Sequence, residues 1–207
     1  MHLKTTIFIL FFSLLLVTLL IGHRFGATWA GGEGVTENLD VMITEMQGSL
    51  EMMHHDDTRV VMADDILMRG EVIQTGDDGY IRFVIGENVL VGMAERTTLT
   101  LESITSNNLR ILVTRGRIVV EQTGSEPLHI QTNFTDTTLE NGAITLVNYD
   151  FLETVMIAPY PVAKASVKTS LGSIPLSSAL SIHETPEVKI EGTSPTLTLP
   201  FYEWYQR

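Results

Sequence analysis

Residues that could bind a metal ion are few in this chain. His54-His55-Asp56-Asp57 is the most metal-like run, and Asp64-Asp65 and Asp77-Asp78 are the acidic pairs that could bind calcium. Neighbouring residues of a strand point to opposite faces, so the two histidines would not ligate one ion. The acids lack the alternating spacing of a calcium loop and suit turns instead. We therefore predict no metal site and no cofactor.

Nucleophilic catalysis is the second chemistry that we consider. A serine would need a histidine base, and the candidates are His129 and His183. Neither lies near a Gly-x-Ser-x-Gly turn, and His129 belongs to the alternating run LHIQT, which favours one face of a sheet. The chain has no cysteine, which excludes thiolate nucleophiles, thiolate metal sites and disulfides. We predict that the protein is not an enzyme and has no catalytic residues.

The C-terminus carries the densest aromatic cluster. Phe201, Tyr202, Trp204 and Tyr205 lie within the last seven residues, FYEWYQR. Because tyrosine and tryptophan are enriched at binding hot spots, this cluster is a candidate docking segment for a partner. The alternative, which we prefer, is a terminal strand or tail that packs onto the body.

The overall charge restricts the classes of partner. The formal net charge is −12, from 25 acidic residues against 13 lysines and arginines. Such a surface repels nucleic-acid phosphates and anionic lipid headgroups, and no basic patch offsets it. We predict no binding to nucleic acid.

Short strands are the elements that must position all of these side chains. From Thr58 onwards, runs rich in valine, isoleucine, threonine and leucine recur about every ten residues, which is typical of an all-β sandwich, barrel or rolled sheet. Turn residues separate the runs, and we predict structural turns at Gly70, Gly76, Gly79, Gly116, Asn141 and Gly142. A brief helical pattern covers 177–182.

Two of these turns have specific predicted conformations. Asn141-Gly142 is a strong signal for a two-residue type I′ hairpin, which needs positive φ at both positions. The segment from Gly76 to Gly79 fits a longer hairpin loop with Gly79 in the left-handed region.

The segment from Leu39 to Met53 is ambiguous. As a helix, it would place Leu39, Met42, Ile43 and Met46 on one face, at the cost of Gly48 in the interior. As strands, it would alternate on both sides of a bend at Gly48. The pattern alone leaves both interpretations open.

The N-terminus predicts the compartment. Thr5 to Gly22 is eighteen residues without a charge, about 27 Å as a helix, and we predict a membrane anchor whose residues include Ile7, Phe8, Leu15 and Leu20. A signal peptide cleaved after Ala30 is the alternative. We expect the short N-tail inside and the acidic body exported, periplasmic or extracellular.

The segment from Asp65 to Val147 resembles the FecR domain, an extracytoplasmic module. The resemblance rests on DILMRGEVIQTGDDGYIRF (65–83), TTLTLESI (97–104), LRILVTRGRIVVEQ (109–122) and LHIQTNFTDTTLENGAITLV (128–147). Upstream, ITEMQGSLEMM (43–53) is similar to the family's first hairpin, which favours strands there. Gly86-Glu87-Asn88 departs from the family's usual turn.

This resemblance implies an all-β, rolled or solenoid-like antiparallel sheet outside the cytoplasmic membrane, after one transmembrane helix. From the resemblance together with the composition of the flanking segments, we predict this domain division: 1–4 is a cytoplasmic tail, 5–24 the signal anchor, 25–38 a Gly-rich tether, 39–157 the FecR-like β domain, and 158–207 an appended β element and tail. Family members relay signals to sigma factors through a cytoplasmic domain. Only four residues precede the anchor here, so we do not expect direct sigma-factor binding.

The predicted function is non-enzymatic binding or scaffolding at the cell envelope, with a protein or a polysaccharide as partner. One alternative is a signalling subunit that passes an extracytoplasmic signal to another membrane protein. The other is a secreted carbohydrate-binding protein or hydrolase, released by cleavage after Ala30.

Overall fold

The computed structural model describes residues 37–54, 57–63, 65–149, 152–184, 187–194, 202–203 and 205–206. Within these ranges no helix is long and apolar enough to span a membrane. The predicted tail, the anchor with Ile7, Phe8, Leu15 and Leu20, and the tether as far as residue 36 lie outside the described residues. Residues Glu37–Arg207 form one compact unit.

The described chain is almost entirely β-strand, which confirms the all-β prediction. The strands are β1 (Val41–Gln47), β2 (Leu50–His54), β3 (Asp57–Val60), β4 (Val72–Thr75), β5 (Tyr80–Ile85), β6 (Val89–Met93), β7 (Thr98–Thr105), β8 (Asn108–Gln122), β9 (Leu128–Gln131), β10 (Asp136–Tyr149), β11 (Thr154–Thr169), β12 (Gly172–Pro175), β13 (Leu180–His183) and β14 (Lys189–Gly192). All strand pairs are antiparallel except β8 with β9.

Three long strands divide the sheet into two layers. The first half of β8 pairs with β7 and β9, whereas its second half pairs with β6 and β10. β10 and β11 change neighbours in the same way. The first layer therefore has the order β12-β11-β10-β9-β8-β7-β4-β2-β3, and the second has β14-β13-β11-β10-β8-β6-β5-β1. Strands that bend between layers are a usual way to build such corners.

The corners explain two predictions that were wrong. Turns were expected at Gly116 and at Asn141-Gly142, but these residues lie inside the long strands β8 and β10. Gly116 has φ 100° and Gly142 has φ 93°, and the pairing of β10 shifts register on both sides of Asn141. The positive φ that we assigned to a hairpin at Gly142 instead forms a bulge that bends the strand between layers. Asn141 does not have positive φ.

One hydrophobic core lies between the layers. Along β5 and β7, buried and partly exposed residues alternate, as expected for strands with one face inward. Phe83, Ile118 and Ile144 of the second layer belong to the same buried cluster as Leu99 and Ile111 of the first. Face-to-face packing of the two layers therefore buries the alternating apolar residues.

The segment from Leu39 to Met53 forms strands, but they do not form the hairpin suggested by the resemblance. β1 pairs with β5 in the second layer, whereas β2 pairs with β4 and β3 in the first. Gly48, with φ 72°, is the corner between them. A side chain there would lie 2.2 Å from the carbonyl oxygen of Asp78, so the corner requires glycine.

The turn from Gly76 to Gly79 packs against this corner. The N–H of Gly76 donates to the Ser49 carbonyl at 2.8 Å, and the Ser49 hydroxyl donates to Asp78 Oδ1, also at 2.8 Å. The prediction that Gly79 is left-handed was wrong. A Cβ at Gly79 would lie 2.3 Å from the Ser49 carbonyl oxygen, so close approach rather than positive φ favours glycine there.

The C-terminal third continues the same sheet. The expected boundary at 157/158 falls inside β11, and β13 and β14 extend the second layer. Residues 180–183 form β13, so the brief helical pattern at 177–182 was misleading. The carbonyl of Glu37 accepts a hydrogen bond from Ser106, which joins the end of the expected tether to the body.

Candidate interaction surfaces

The C-terminal aromatic segment contains one helical turn. The N–H of Gln206 donates to the carbonyl of Tyr202 at 3.2 Å, one helical turn earlier. The sequence predicts a terminal strand or tail rather than a helical turn at this position. Phe201 and Trp204 lie outside the described residues, so only Tyr202 and Tyr205 of the candidate docking residues are placed.

Tyr205 is buried on the outer face of the second layer. Its ring packs against Ala94 and Val119 and lies over Gly92, where a Cβ would be 2.5 Å from the ring. The Arg82 guanidinium lies 5.2 Å from the ring centroid, within cation–π range. Burial raises the pKa of the Tyr205 hydroxyl, which has no hydrogen-bond partner among the described residues.

Tyr202 contacts the same outer face. It stacks on Tyr160 with ring centroids 4.3 Å apart, and its hydroxyl accepts a hydrogen bond from Gln206 Nε2 at 2.8 Å. Burial also raises the pKa of Tyr202. Both tyrosines thus lie against the protein's own sheet, as expected if the C-terminal tail packs onto the body.

Pairing aligns small residues beneath these tyrosines. Gly92 lies opposite Val119, Val119 opposite Thr145, and Thr145 opposite Ala158, in a row across β6, β8, β10 and β11. Their short side chains leave room for the two rings above the sheet. Residues so far apart in sequence become neighbours only through strand register.

A surface that the sequence did not predict is one that we name the methionine edge. It consists of side chains that are 54–64 % exposed although they are large and apolar: Met42, Val60, Met62, Ile66 and Met68. Most belong to the apolar triplets Val60-Val61-Met62 and Ile66-Leu67-Met68, in which only the central residue is buried. A strand with one buried face would alternate apolar and polar residues. The consecutive apolar residues in these triplets were therefore the sequence signal for an exposed apolar surface.

The methionine edge lies beside the free edge of the first layer. Strand β3 ends that layer, and all four of its residues are exposed. Met42 of β1 forms an isolated bridge with Ile66, and the N–H of Leu67 donates to the Val41 carbonyl at 3.2 Å. The edge therefore joins the ends of both layers.

Asp65 orders the loop that carries this edge. Its carboxylate accepts a hydrogen bond from the N–H of Met62 at 2.8 Å and pairs with Arg59 at 2.5 Å. The Met62 hydrogen bond, followed by Arg59, lowers the pKa of Asp65. The apolar side chains are thus presented by a hydrogen-bonded loop.

A second candidate surface, the arginine cleft, lies at the Gly116 corner. It is open, has a volume of about 490 Å³, and is lined by Asp77, Glu95, Arg96, Arg115, Gly116, Arg117, Val147, Asn148 and Tyr149. Arg96 pairs with Asp77 at 2.8 Å, which raises the pKa of Arg96, and Arg117 pairs with Glu95. Thr97 supports the cleft from below, since its hydroxyl accepts a hydrogen bond from the Arg117 N–H at 3.0 Å.

The histidines considered for chemistry make ordinary polar contacts. His129 Nδ1 lies 3.3 Å from Asp136 Oδ1, and the nitrogens of His183 lie 2.8 Å from the Thr154 hydroxyl and 3.1 Å from the Ser181 hydroxyl. Within the described ranges no three histidine, cysteine or acidic residues are grouped as metal ligands. Residues 55 and 56 of the His54 run lie outside those ranges.

Comparison with known proteins identifies the fold but no family. No family model matches the sequence, and no curated protein matches it. Two crystal structures, each described as a "putative anti-sigma factor" from Parabacteroides distasonis, are similar in structure. One has a TM-score of 0.53 and 13 % identity over 61 % of this chain and 62 % of its own. The other has a TM-score of 0.55 and 12 % identity over 63 % and 64 %.

This similarity is one of fold alone, because the identity is low. The chain spans less than two thirds of either related structure. The shared β fold covers 61 % and 63 % of this chain in the two comparisons.

Proposed function

We propose that this protein is a non-enzymatic, membrane-anchored binding module of the FecR type, which holds a partner protein at the cell envelope. Residues 5–24 would anchor it, with the N-terminus inside and the rolled, open sheet exported. The segments that resemble the FecR domain supply the strands on both sides of the corner at Gly116. The fold similarity to two structures described as a "putative anti-sigma factor" supports a role in signalling or binding.

The methionine edge is the observation that carries the proposal. Contiguous exposed apolar surface on a soluble domain usually marks an interaction site, and methionine adapts to varied partners. Five of the eight large exposed apolar side chains of the described residues belong to this edge. Among the described strands β3 pairs with β2 alone, so its other side could bind a partner strand.

Site-specific photocrosslinking in the native envelope tests this function. With the crosslinker at Met62 of the full chain, we expect one defined protein adduct; at Leu171, which is equally exposed on the β11–β12 turn, we expect none. In a chain crosslinked from Ile66, Met62→Glu should reduce the adduct about tenfold, the effect of losing one modest hot spot. Leu171→Glu is the matched control. Equal adducts from both positions, or an adduct that survives Met62→Glu, would contradict partner binding at this edge.

A second candidate function is transmembrane signalling, in which the exported sheet senses a partner and passes the signal to another membrane protein. The similarity to two structures, each described as a "putative anti-sigma factor", favours it. Crosslinkers placed within residues 5–24 distinguish the two functions. A signalling subunit should crosslink to a second membrane protein in a manner that depends on Met62, whereas a scaffold should not.

A further inference from the structure

The methionines of the described chain differ sharply in their exposure. Met42, Met62 and Met68 are each more than half exposed, and all three belong to the methionine edge. Met52 and Met93, by contrast, are fully buried. The methionines that a solute can reach are therefore concentrated on the surface that we propose to bind a partner.

The other methionines within the described ranges are better protected than those of the edge. Met156 is buried, and Met46 and Met53 are only partly exposed. Met46 also packs against the hydrophobic core. Exposure thus separates the three edge methionines from the rest of the described set.

Thioether sulfur is the reactive group that this surface offers. A two-electron oxidant converts methionine to methionine sulfoxide, and sulfoxide reductases reverse the change. The chain has no cysteine, so none of its own thiols competes for the oxidant. The edge methionines are therefore the most accessible sites of oxidation in the folded protein.

Oxidation at the edge does not require the fold to open. The N–H of Met62 donates to the Asp65 carboxylate at 2.8 Å, and the carbonyl of Met62 accepts a hydrogen bond from the Asp65 N–H at 3.1 Å. The N–H of Met68 donates to Glu71 Oε2 at 2.6 Å. These contacts use backbone atoms of the methionines, so an oxygen atom added to sulfur leaves the loop in place.

The core methionines respond differently to an oxidant. Met52 and Met93 belong to the buried hydrophobic cluster, whose close packing keeps solutes away from them. A sulfoxide at either position would bury a polar oxygen without a hydrogen-bond donor, which is costly. The fold therefore directs oxidation to the edge.

A sulfoxide changes what the methionine edge can bind. It replaces a flexible apolar side chain by a polar one, and such a change disrupts interfaces that contain methionine. Three of the five members of the edge would become polar, which leaves only Val60 and Ile66 apolar. A partner that covered the oxidised edge would have to desolvate the new polar groups.

We propose that the methionine edge is a reversible oxidation site, and that conversion of Met42, Met62 and Met68 to sulfoxides releases the partner protein. This regulation rests on the proposed binding function of the same edge. The oxidant is of the hypochlorous acid or hydrogen peroxide class.

The atoms and electrons of this step balance. The oxidant transfers its oxygen atom to sulfur, which loses two electrons, and is itself reduced to chloride and a proton or to water. In the reverse step, two thiols of a reductase system remove the oxygen atom as water and become a disulfide.

Peptide mass spectrometry of the full chain in nonionic detergent tests the selectivity of oxidation. After treatment with hypochlorous acid, we expect sulfoxide at Met42, Met62 and Met68, and none at Met52 or Met93. The same treatment in urea should oxidise the two core methionines as well. Equal oxidation of edge and core methionines in the folded protein would overturn the proposal.

Photocrosslinking from Ile66 in isolated envelopes tests the release of the partner. Oxidation should reduce the adduct about tenfold, the effect of losing one modest hot spot. The two methionine sulfoxide reductases, supplied with dithiothreitol, should restore it, and both are needed because each reduces one sulfoxide epimer. An undiminished adduct from a chain that carries the three sulfoxides would overturn the proposal.

A variant with Met42→Leu, Met62→Leu and Met68→Leu is the matched control, because leucine keeps the apolar volume but cannot be oxidised in this way. Its adduct should form before and after treatment. Loss of the adduct from this variant would place the decisive oxidation on the partner and overturn the proposal. Absence of an adduct from the untreated natural chain would contradict the proposed binding function itself, which distinguishes the two failures.

Discussion

At the scale of single residues, Tyr205 illustrates how one side chain joins distant parts of the molecule. Its ring occupies the space above Gly92, contacts Val119, and lies near the charge of Arg82. The same burial leaves its hydroxyl without a partner among the described residues. The hydrophobic gain of the ring therefore opposes the cost of a desolvated hydroxyl.

Tyr205→Phe is expected to increase the free energy of unfolding by about 1 kcal/mol, because it removes an unsatisfied buried hydroxyl and keeps the ring. Urea denaturation followed by circular dichroism measures this. Tyr202→Phe is the matched control: it loses the hydrogen bond from Gln206 and should not stabilise the protein. A destabilised Tyr205→Phe variant would show that the hydroxyl has a partner in solution.

Asp78 carries a pH dependence. Hydrogen bonds from the hydroxyl and N–H of Ser49 lower the pKa of Asp78 below its ordinary value of 3.8. Because the pKa of Asp78 is lower in the folded than in the unfolded protein, its carboxylate stabilises the fold at pH values above the ordinary pKa. This stabilisation is lost as the pH falls through the folded-state pKa.

Ser49→Ala should therefore raise the pKa of Asp78 towards 3.8 and destabilise the protein at pH 7, with a penalty that shrinks below about pH 4. Carboxyl NMR titration measures the shift. Asp65 is an internal control, since its lowered pKa depends on Met62 and Arg59. An unchanged Asp78 pKa would contradict the role of Ser49.

At the scale of elements, the bends in β8 and β10 set the architecture. Each strand passes from one layer to the other at a glycine with positive φ, and its hydrogen bonds pass to new neighbours. The sequence marked Gly116 and Gly142 as special positions but could not show whether the chain turns back or continues. Both outcomes use the same backbone conformation, and only the later strands decide which neighbour is available.

Three glycine-to-alanine substitutions distinguish the energetic cost of a positive φ from the cost of a close contact at the new Cβ. Gly192 has neither a positive φ nor an atom within 4 Å of the position of a Cβ. Gly192→Ala should therefore change the free energy of unfolding by less than about 0.5 kcal/mol. Gly70→Ala has φ 86° but open space and should cost about 1–2 kcal/mol. Gly116→Ala should cost more than Gly70→Ala, because its Cβ would also lie 2.5 Å from Thr97 Cα.

Chemical denaturation of the three variants measures the loss in free energy of unfolding for each and so ranks them. A Gly116→Ala penalty no greater than that of Gly70→Ala would mean that Thr97 moves away at little cost. The bend of β8 would then depend on backbone conformation alone.

At the scale of the whole molecule, the second layer is covered on both faces. Its inner face packs on the first layer, and the C-terminal turn contacts part of its outer face. This explains why Val119, Thr145 and Ala158 are fully buried although consecutive residues of a strand normally alternate between core and solvent.

Removal of residues 202–207 should expose this outer face. We expect a loss of about 2 kcal/mol in the free energy of unfolding, the effect of exposing one large aromatic side chain, and increased binding of the apolar dye ANS. The full-length Glu203→Ala variant is the control, because Glu203 is exposed. Unchanged stability and dye binding after truncation would show that the C-terminal turn does not shield the outer face of the second layer.

The sequence by itself determined the all-β class, most strand positions and the acidic character of the protein. These properties are local: β-branched runs favour strands, glycine permits sharp backbone changes, and charge is additive. The resemblance also resolved the segment from Leu39 to Met53 towards strands, which the structure contains.

Only the tertiary structure decided which strands are neighbours. The strand neighbours in turn determine which side chains share a surface. Val60, Met62 and Ile66 resemble core residues in the sequence, but they lie beside the edge where the sheet ends. Arg96, Arg115 and Tyr149 share a cleft because β8 and β10 bend between layers. Whether an apolar residue is buried, and which charges meet, depends on long-range register, which local sequence does not encode.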